Sequence, residues 1–303
     1  MLPPRVAIIG PTASGKSSVA MSVAQQRNDV DIVSVDSMQV YRSMDIGTAK
    51  PTADEQRAVR HHLIDLVDVD VEFTVSTFAD LLDEVLATMV SAGRSALLVG
   101  GTGLYLRAAI DGLDLAGVWP EIRQRLDAEV SALGARTLYE RLTTLDPEAA
   151  GRMEPDNSRR IVRALEVIEG SGRRFSSFGG GLDRYPEGAV PQVGLRWDRN
   201  VLAGRIAVRV QSMMEQGFLG EVERVLAAGP SRTARQALGY REIIDHLEGR
   251  CSLDEAVELT IRRTRQFSVR QERWFRRDPR ITWVDVTEDP VAEAGPIVAS
   301  LLP

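Results

Sequence analysis

One cysteine, Cys251, and three histidines, His61, His62 and His246, stand in a chain of 303 residues. A lone cysteine excludes an internal disulfide framework and a cysteine-rich metal site, and so few histidines argue against a histidine-built metal centre. Long apolar runs are missing too: none approaches the ~20 residues that cross a bilayer. The opening MLPPRVAIIG is too short for a signal peptide and has no cleavage-site pattern, so a cytosolic protein with no membrane partner is expected. Lysine is almost absent. Only Lys16 and Lys50 occur beside 35 arginines, so a lysine here is not casual surface decoration.

What is present describes a folded protein. Hydrophobic residues make up 44% and charged residues 26%, too apolar for a disordered chain. At ~150 residues per domain the length suits one large or two modest domains. The net charge of −6 argues against a molecule that binds nucleic acid over its whole surface. The charge is uneven, however. Residues 1–112 hold nine basic and fourteen acidic side chains, whereas residues 259–280 hold eight arginines against Glu272 and Asp278. Screening confines each charge to its surroundings, so a local basic stripe can hold phosphate on an acidic protein. A solvated arginine helix is the plainer account of the same residues.

The chain opens as strand, loop and helix. Val6–Ile9 is a short apolar run, and after the glycines Val19, Ala20, Val23 and Ala24 recur at helical spacing. Ile32–Val35 predicts a second strand ending at Asp36, His62–Leu66 a weaker third, and Ala96–Val99 a buried strand running into Gly100-Gly101. Phe78, Leu81, Leu82, Val85 and Met89 form a helical stripe between them. Alternating strands and helices predict an α/β fold, a mostly parallel sheet covered on both faces. Beyond residue 112 the stripes are helical: Ile122, Leu126, Val130 and Leu133, then Ile161, Val162, Leu165 and Ile168. A glycine- and proline-rich loop is expected from Gly170 to Pro191, including Gly179-Gly180-Gly181, followed by a strand at Val193–Trp197. Helices are expected over 199–227 and 253–277, with a last strand at Ile281–Val284. The expected organisation is an α/β core of residues 1–112 and 193–303 interrupted by a helical insertion at 113–192.

Gly10-Pro11-Thr12-Ala13-Ser14-Gly15-Lys16-Ser17 matches G-x-x-x-x-G-K-[ST] in full, with a strand before it and a helix after it, as a phosphate-binding P-loop requires. The glycines let backbone N–H groups curl inward as an anion nest at a helix N-terminus. Lys16 adds a full charge, and the Ser17 hydroxyl is a candidate Mg²⁺ ligand. Such a site binds a di- or triphosphate and leaves the reaction open. Asp36 ends the second strand and should face the same crevice, because ligands of open α/β sheets lie at the carboxyl ends of strands. It suits a metal ligand, a general base or a helix N-cap equally. Thr102, in Gly100-Gly101-Thr102-Gly103, offers a hydroxyl to a ligand or an N-cap to the next helix. Arg159, Arg160 and Arg163 alternate with core residues and share an outer face suited to phosphates or to water. Arg205 and Arg209 lie four apart on one helix face. Gln236-Ala237-Leu238-Gly239-Tyr240-Arg241 presents an aromatic ring and a guanidinium at a glycine break. Arg263, Gln266, Arg270, Arg273 and Arg277 fall along one stripe of the last long helix, with Phe267 and Trp274 expected in the core. His61 and His62 read as hydrogen-bonding residues beside a strand rather than metal ligands.

In this order, GPTASGKS, VDSMQVYRSMDIGTAKP, HHLIDL, LLVGGTGLYL, DNSRRIVRALEV, ALGYRE and RQFSVRQERWFRR resemble the motifs of bacterial tRNA dimethylallyltransferases, also called tRNA isopentenyltransferases, over nearly the whole chain. The long form of the family with a C-terminal zinc finger is not matched, since only one cysteine is present. The resemblance implies transfer of a dimethylallyl group from dimethylallyl diphosphate to N6 of the adenosine 3′-adjacent to the anticodon, in tRNAs that read codons beginning with U. It implies that Gly10–Ser17 hold the prenyl diphosphate with Mg²⁺, that Lys16, Thr102 and Arg205 (or Arg209 in its place) contact the diphosphate, and that Asp36 is the general base. The anticodon stem-loop contacts it implies are Asp36, Ser37, Met38 and Gln39; Thr102; Arg123; Arg159, Arg160, Ile161, Val162 and Arg163; and Gln236 to Arg241. A monomer is expected. A P-loop small-molecule kinase explains Lys16 and Ser17 equally well but leaves the arginine helices and the insertion without a role. A nucleotide-dependent switch protein lacks a guanine-reading motif.

Overall fold

The computed structural model describes residues 3, 5–178, 184–187 and 190–303. Its first half alternates as expected: β1 (Arg5–Ile9), α1 (Lys16–Gln25), β2 (Val30–Ser34), α2 (Ala53–Ala58), β3 (His61–His62), α3 (Val75–Ser91), β4 (Ser95–Gly100) and α4 (Gly103–Asp111). Four helices come next, α5 (Pro120–Leu133), α6 (Ala135–Leu145), α7 (Pro147–Ala150) and α8 (Ser158–Ser171). The chain then adds β5 (Gln192–Trp197), α9 (Arg199–Glu215), α10 (Phe218–Ala227), α11 (Arg232–Arg235), α12 (Tyr240–Leu247), α13 (Leu253–Phe275), β6 (Ile281–Val286) and α14 (Pro290–Ser300). Among the described residues the sheet has the order β3-β2-β4-β1-β5-β6, and every pairing in it is parallel.

The central strands β1 and β4 are apolar on both faces because both faces are covered. Val6, Ile8, Ile32, Leu97 and Val99 pack on one side with Val19 and Val23 of α1 and Ala294 and Val298 of α14. Ala7, Ile9, Val33 and Leu98 pack on the other with Phe78, Leu82 and Leu86 of α3 and with Tyr240 and Ile243 of α12. Neighbouring residues of each strand thus enter different cores, as the two-residue period of a strand demands.

Two compact units result: Met1–Asp111 with Glu187–Pro303, and Gly112–Pro186. The second has its own core of Leu126, Leu138, Leu142, Ile161, Val162 and Leu165. The expected insertion of 113–192 is six residues too long at its C-terminal end. Val190 is already buried with the sheet, and the Pro191 carbonyl accepts a bond from Ala7 N (2.9 Å).

Other expectations shift locally. The third strand is His61–His62, not His62–Leu66, since Leu63 (φ 60°) and Asp65 (φ 53°) turn the chain out of extended geometry. The helix expected over 199–227 is two, broken at Gly217 (φ 96°). The loop expected from Gly170 begins later, because α8 continues to Ser171; Gly179-Gly180-Gly181 lie outside the described residues. Helix α14 was not anticipated. No helix among the described residues is long and apolar enough to cross a membrane.

Candidate functional site

The carboxyl ends of β1, β2 and β4 converge, and the loops leaving them carry the chemistry. After β1 the chain bends through Gly10 (φ 149°), Ala13 (φ 63°) and Gly15 (φ 94°) before α1 starts at Lys16. Gly10 and Gly15 must stay glycine for space as well as for φ. A Cβ on Gly10 would lie 2.8 Å from Leu195 O, and one on Gly15 would lie 2.5 Å from the Pro290 ring. The Ser14 hydroxyl is fully buried inside the loop and has no partner, an orphaned polar atom of the kind an anion site carries. Lys16 Nζ donates to Pro11 O (2.7 Å). Burial, and then the like charge of Arg209, push the Lys16 ammonium down to about 7, against an opposing pull from Asp36.

Lys16, Ser17, Asp36 and Gln39 line one cavity of about 170 Å³. Asp36 also lines a second cavity, of about 130 Å³, with Ser37, Met38, Thr102 and Ala237 to Tyr240. The two share Thr12, Asp36, Thr48, Arg209, Phe267 and Gln271 as a partition. A wider groove, about 1040 Å³, runs past Gly15, Lys16, Ser17, Arg205 and Arg209. Three of the loops named from sequence therefore meet at one place. Asp36 is not a helix N-cap: its Oδ1 accepts from Met38 N (2.8 Å) in a tight turn, and no helix begins there. The Thr102 hydroxyl accepts from Ser37 N (3.4 Å), and Thr102 stands directly before α4. Two of the three roles open to Asp36 remain, metal ligand and base.

The two α9 arginines divide their work. Arg205 Nε donates to Ala13 O (3.0 Å), and its guanidinium lies over the Trp197 ring at 4.3 Å; Trp197 Nε1 in turn donates to Ser14 O (3.0 Å). Arg205 braces the P-loop from outside. Arg209 faces Lys16 and Asp36, and burial lowers its pKa while Asp36 raises it.

Several expectations need correction. Phe267 is not in the core but lines both cavities, and Arg263 leaves the outer stripe to pair with the buried Glu242. Tyr240 is fully buried, with its hydroxyl donating to Glu221 Oε1 (2.5 Å), so only its ring reaches the second cavity; Gln236 and Arg241 are exposed. Within the helical unit Ile161 and Val162 are core side chains, not contact residues. Arg163 donates to Ala116 O (2.9 Å) and pairs with the buried Glu166 (3.0 Å), which also pairs with Arg123 (3.2 Å). That leaves Arg159 and Arg160 exposed at the start of α8. His61 and His62 are hydrogen-bonded as expected, Nδ1 of His61 to Val59 O (2.8 Å) and Nε2 of His62 to Asp31 (2.9 Å).

Two residues were missed. Glu221, fully buried, accepts bonds from the backbone N–H groups of Asp45, Ile46 and Gly47 (3.1, 2.8 and 3.0 Å), and thereby shapes the wall formed by residues 45–48. Gln271 bonds Thr12 and Gly101. Its signal was available: it sits four residues from both Phe267 and Phe275, a polar group on an inward helical stripe.

The family model for IPP transferase matches residues 39–278. The chain belongs to the IPP transferase family. A tRNA dimethylallyltransferase of Nocardioides sp. is 46% identical over 99% of this chain and 97% of its own length. The crystal structure of the full-length tRNA isopentenylpyrophosphate transferase from Bacillus halodurans is 38% identical, with TM-score 0.70, and the alignment covers 98% of this chain and 96% of that one. A eukaryotic dimethylallyltransferase solved acting on tRNA shares the fold, with TM-score 0.79 at 23% identity over 97% of this chain and 77% of that one. The IPP transferase match spans the Asp36-proximal turn from Gln39, the whole helical unit and α13.

Proposed function

We propose that this chain transfers a dimethylallyl group from dimethylallyl diphosphate to N6 of the adenosine 3′-adjacent to the anticodon, in tRNAs reading codons that begin with U. Membership of the IPP transferase family and the names of its relatives support the reaction class. The observation that carries the assignment to residues is Asp36: one carboxylate lines both the cavity that holds Lys16 and the cavity walled by residues 237–240.

The diphosphate lies against the nest of residues 10–17. As the allylic C–O bond breaks, negative charge collects on the leaving diphosphate, where Lys16 and the loop N–H groups stabilise it more than they stabilise the ground state. Adenine enters the second cavity between the 237–240 wall and Phe267, with its exocyclic amine toward Asp36. That amine is a poor nucleophile, since its lone pair is delocalised into the ring, so orientation and proton removal supply much of the rate. The N6–C bond forms as the C–O bond breaks, and the N6 proton passes to Asp36. Unstacking the base costs a few kcal/mol, least in a single-stranded loop.

Magnesium fits this site through the exposed Ser17 hydroxyl, and it would neutralise charge on the diphosphate. Among the described residues there is no group of three His, Cys, Asp or Glu side chains to cage an ion, so its other ligands would be diphosphate oxygens and water. The exposed Arg159 and Arg160 suit phosphates of the anticodon stem. The protein acts as a monomer in this reading.

Incubation with unmodified tRNA, Mg²⁺ and dimethylallyl diphosphate should yield N6-(dimethylallyl)adenosine and pyrophosphate, seen by nucleoside mass spectrometry. ATP consumption on a small acceptor with no prenylated adenosine would establish the kinase reading instead.

A further inference from the structure

Helix α13 turns different chemistry to its two sides. Arg270 and Arg273 are exposed, whereas Gln271 between them is 8% exposed and forms part of the partition shared by both cavities. Its amide is used at both ends. Oε1 accepts from Thr12 N (2.9 Å) in the P-loop, and Nε2 donates to Gly101 O (2.8 Å) in the turn after β4. The next residue in that turn is Thr102, whose hydroxyl accepts from the N–H of Ser37, adjacent to Asp36. A single rigid amide thus joins the loop assigned to the diphosphate with the turn that buttresses the proposed base.

The amide of Gln271 meets both demands at once. One end faces a backbone donor and the other a backbone acceptor; a carboxylate offers acceptors alone, and an apolar side chain offers neither. The fit is close, since a Cβ on Gly101 would lie 2.4 Å from Gln271 Nε2. The chain leaves Gly101 without a side chain where the amide approaches.

We propose that Gln271 is a positioning residue of the prenyl transfer, setting the spacing between the diphosphate loop and the Thr102–Asp36 side of the crevice. Its catalytic half rests on the proposed transfer reaction; its effect on the loop does not. Misplacement of reacting groups by an ångström lowers rates about a hundredfold, so a side chain that touches neither substrate can still govern turnover.

The test compares wild type with Gln271→Met, which keeps length and packing but removes both bonds, and Gln271→Glu, which keeps the acceptor for Thr12 and sets an oxygen against Gly101 O. The measurements are thermal unfolding, affinity for inorganic pyrophosphate with Mg²⁺, affinity for an anticodon stem-loop, and kcat and KM with dimethylallyl diphosphate. For Gln271→Met we expect cooperative unfolding, stem-loop affinity within about twofold of wild type, pyrophosphate affinity lower by roughly fivefold or more, and kcat lower by about 10- to 100-fold. Gln271→Glu should bind pyrophosphate more weakly still, because it brings a negative charge beside the nest. If the Met variant does not fold, the Glu variant decides. Pyrophosphate affinity and kcat both within twofold of wild type would overturn the proposal. So would parallel loss of pyrophosphate and stem-loop affinity in a variant that still unfolds cooperatively, the behaviour of an ordinary core residue. Wild type that makes no prenylated adenosine would defeat the transfer reading, while the pyrophosphate comparison still decides whether Gln271 sets the loop.

Discussion

Lys16 and Asp36 show how much of the proposed reaction is local electrostatics. With its pKa at about 7, Lys16 in the free protein is half charged at neutral pH. A bound diphosphate favours the ammonium and raises that pKa, so binding above pH 7 takes up a proton. Affinity for pyrophosphate should therefore fall as pH rises from 7, by at most about tenfold per unit, and calorimetry in two buffers at pH 8 should register the uptake. Lys16→Ala should abolish the slope; a wild-type affinity flat from pH 7 to 9 would contradict it. The same shift has a stability consequence. The unfolded lysine titrates near ~10.4, so between pH 7 and ~10.4 the unfolded chain binds more protons, and folding becomes more favourable as pH rises through that window. Asp36→Ala should keep stem-loop affinity and lose about two orders of magnitude or more in kcat, measured by single-turnover prenylation. Both residues were legible in the sequence, because a strand-end carboxylate and a P-loop lysine carry their own context. The sequence left the role of Asp36 open among three chemistries, and the absence of a helix after it removed the N-cap.

At the scale of elements, the walls of the second cavity are held by a buried carboxylate. Glu221 of α10 accepts three backbone N–H bonds from residues 45–47 and one O–H bond from Tyr240 of α12. Gly47 can be nothing larger there, since a Cβ would lie 2.4 Å from the rings of both Phe218 and Tyr240. Lys50 closes the same loop from its other end, donating to Tyr41 O (2.8 Å), Asp45 (2.6 Å) and Asp65 (2.6 Å). Glu221→Gln would set an amide donor against backbone donors. Chemical denaturation should show a loss of about 1–3 kcal/mol, and prenylation should lose affinity for tRNA more than for the diphosphate. An unchanged unfolding midpoint would show that the loop does not depend on Glu221. Elements with a clear period, such as α1, α3 and β4, were legible. The break at Gly217 was not, because the apolar spacing continues through it and only the left-handed glycine divides the helix. The identity of Glu221 as a loop anchor was hidden as well: its backbone partners at 45–47 lie more than 170 residues away.

Over the whole molecule the charge is acidic, −6, and binding of an RNA must depend on where the arginines stand. The helical unit spends Arg123 and Arg163 on Glu166, while Arg159 and Arg160 remain at the surface. Replacing Arg159 and Arg160 with alanine should weaken stem-loop binding and reduce the magnitude of its log–log salt slope by up to about 2, with pyrophosphate affinity intact. Equal slopes for variant and wild type would mean that neither arginine contacts an RNA phosphate. Replacing Arg163 instead should lower the stability of the helical unit, as it uncovers a buried carboxylate. What the sequence determined alone was whatever rests on neighbours along the chain: the alternation of strands and helices, the curl of the P-loop, and the family. The tertiary structure decided which arginines face water and which face a glutamate, and which polar residue of α13 turns inward. It also decided that the loops after three different strands close around one carboxylate. Those outcomes depend on groups distant in sequence competing for the same buried hydrogen bonds, and periodicity carries no record of that competition.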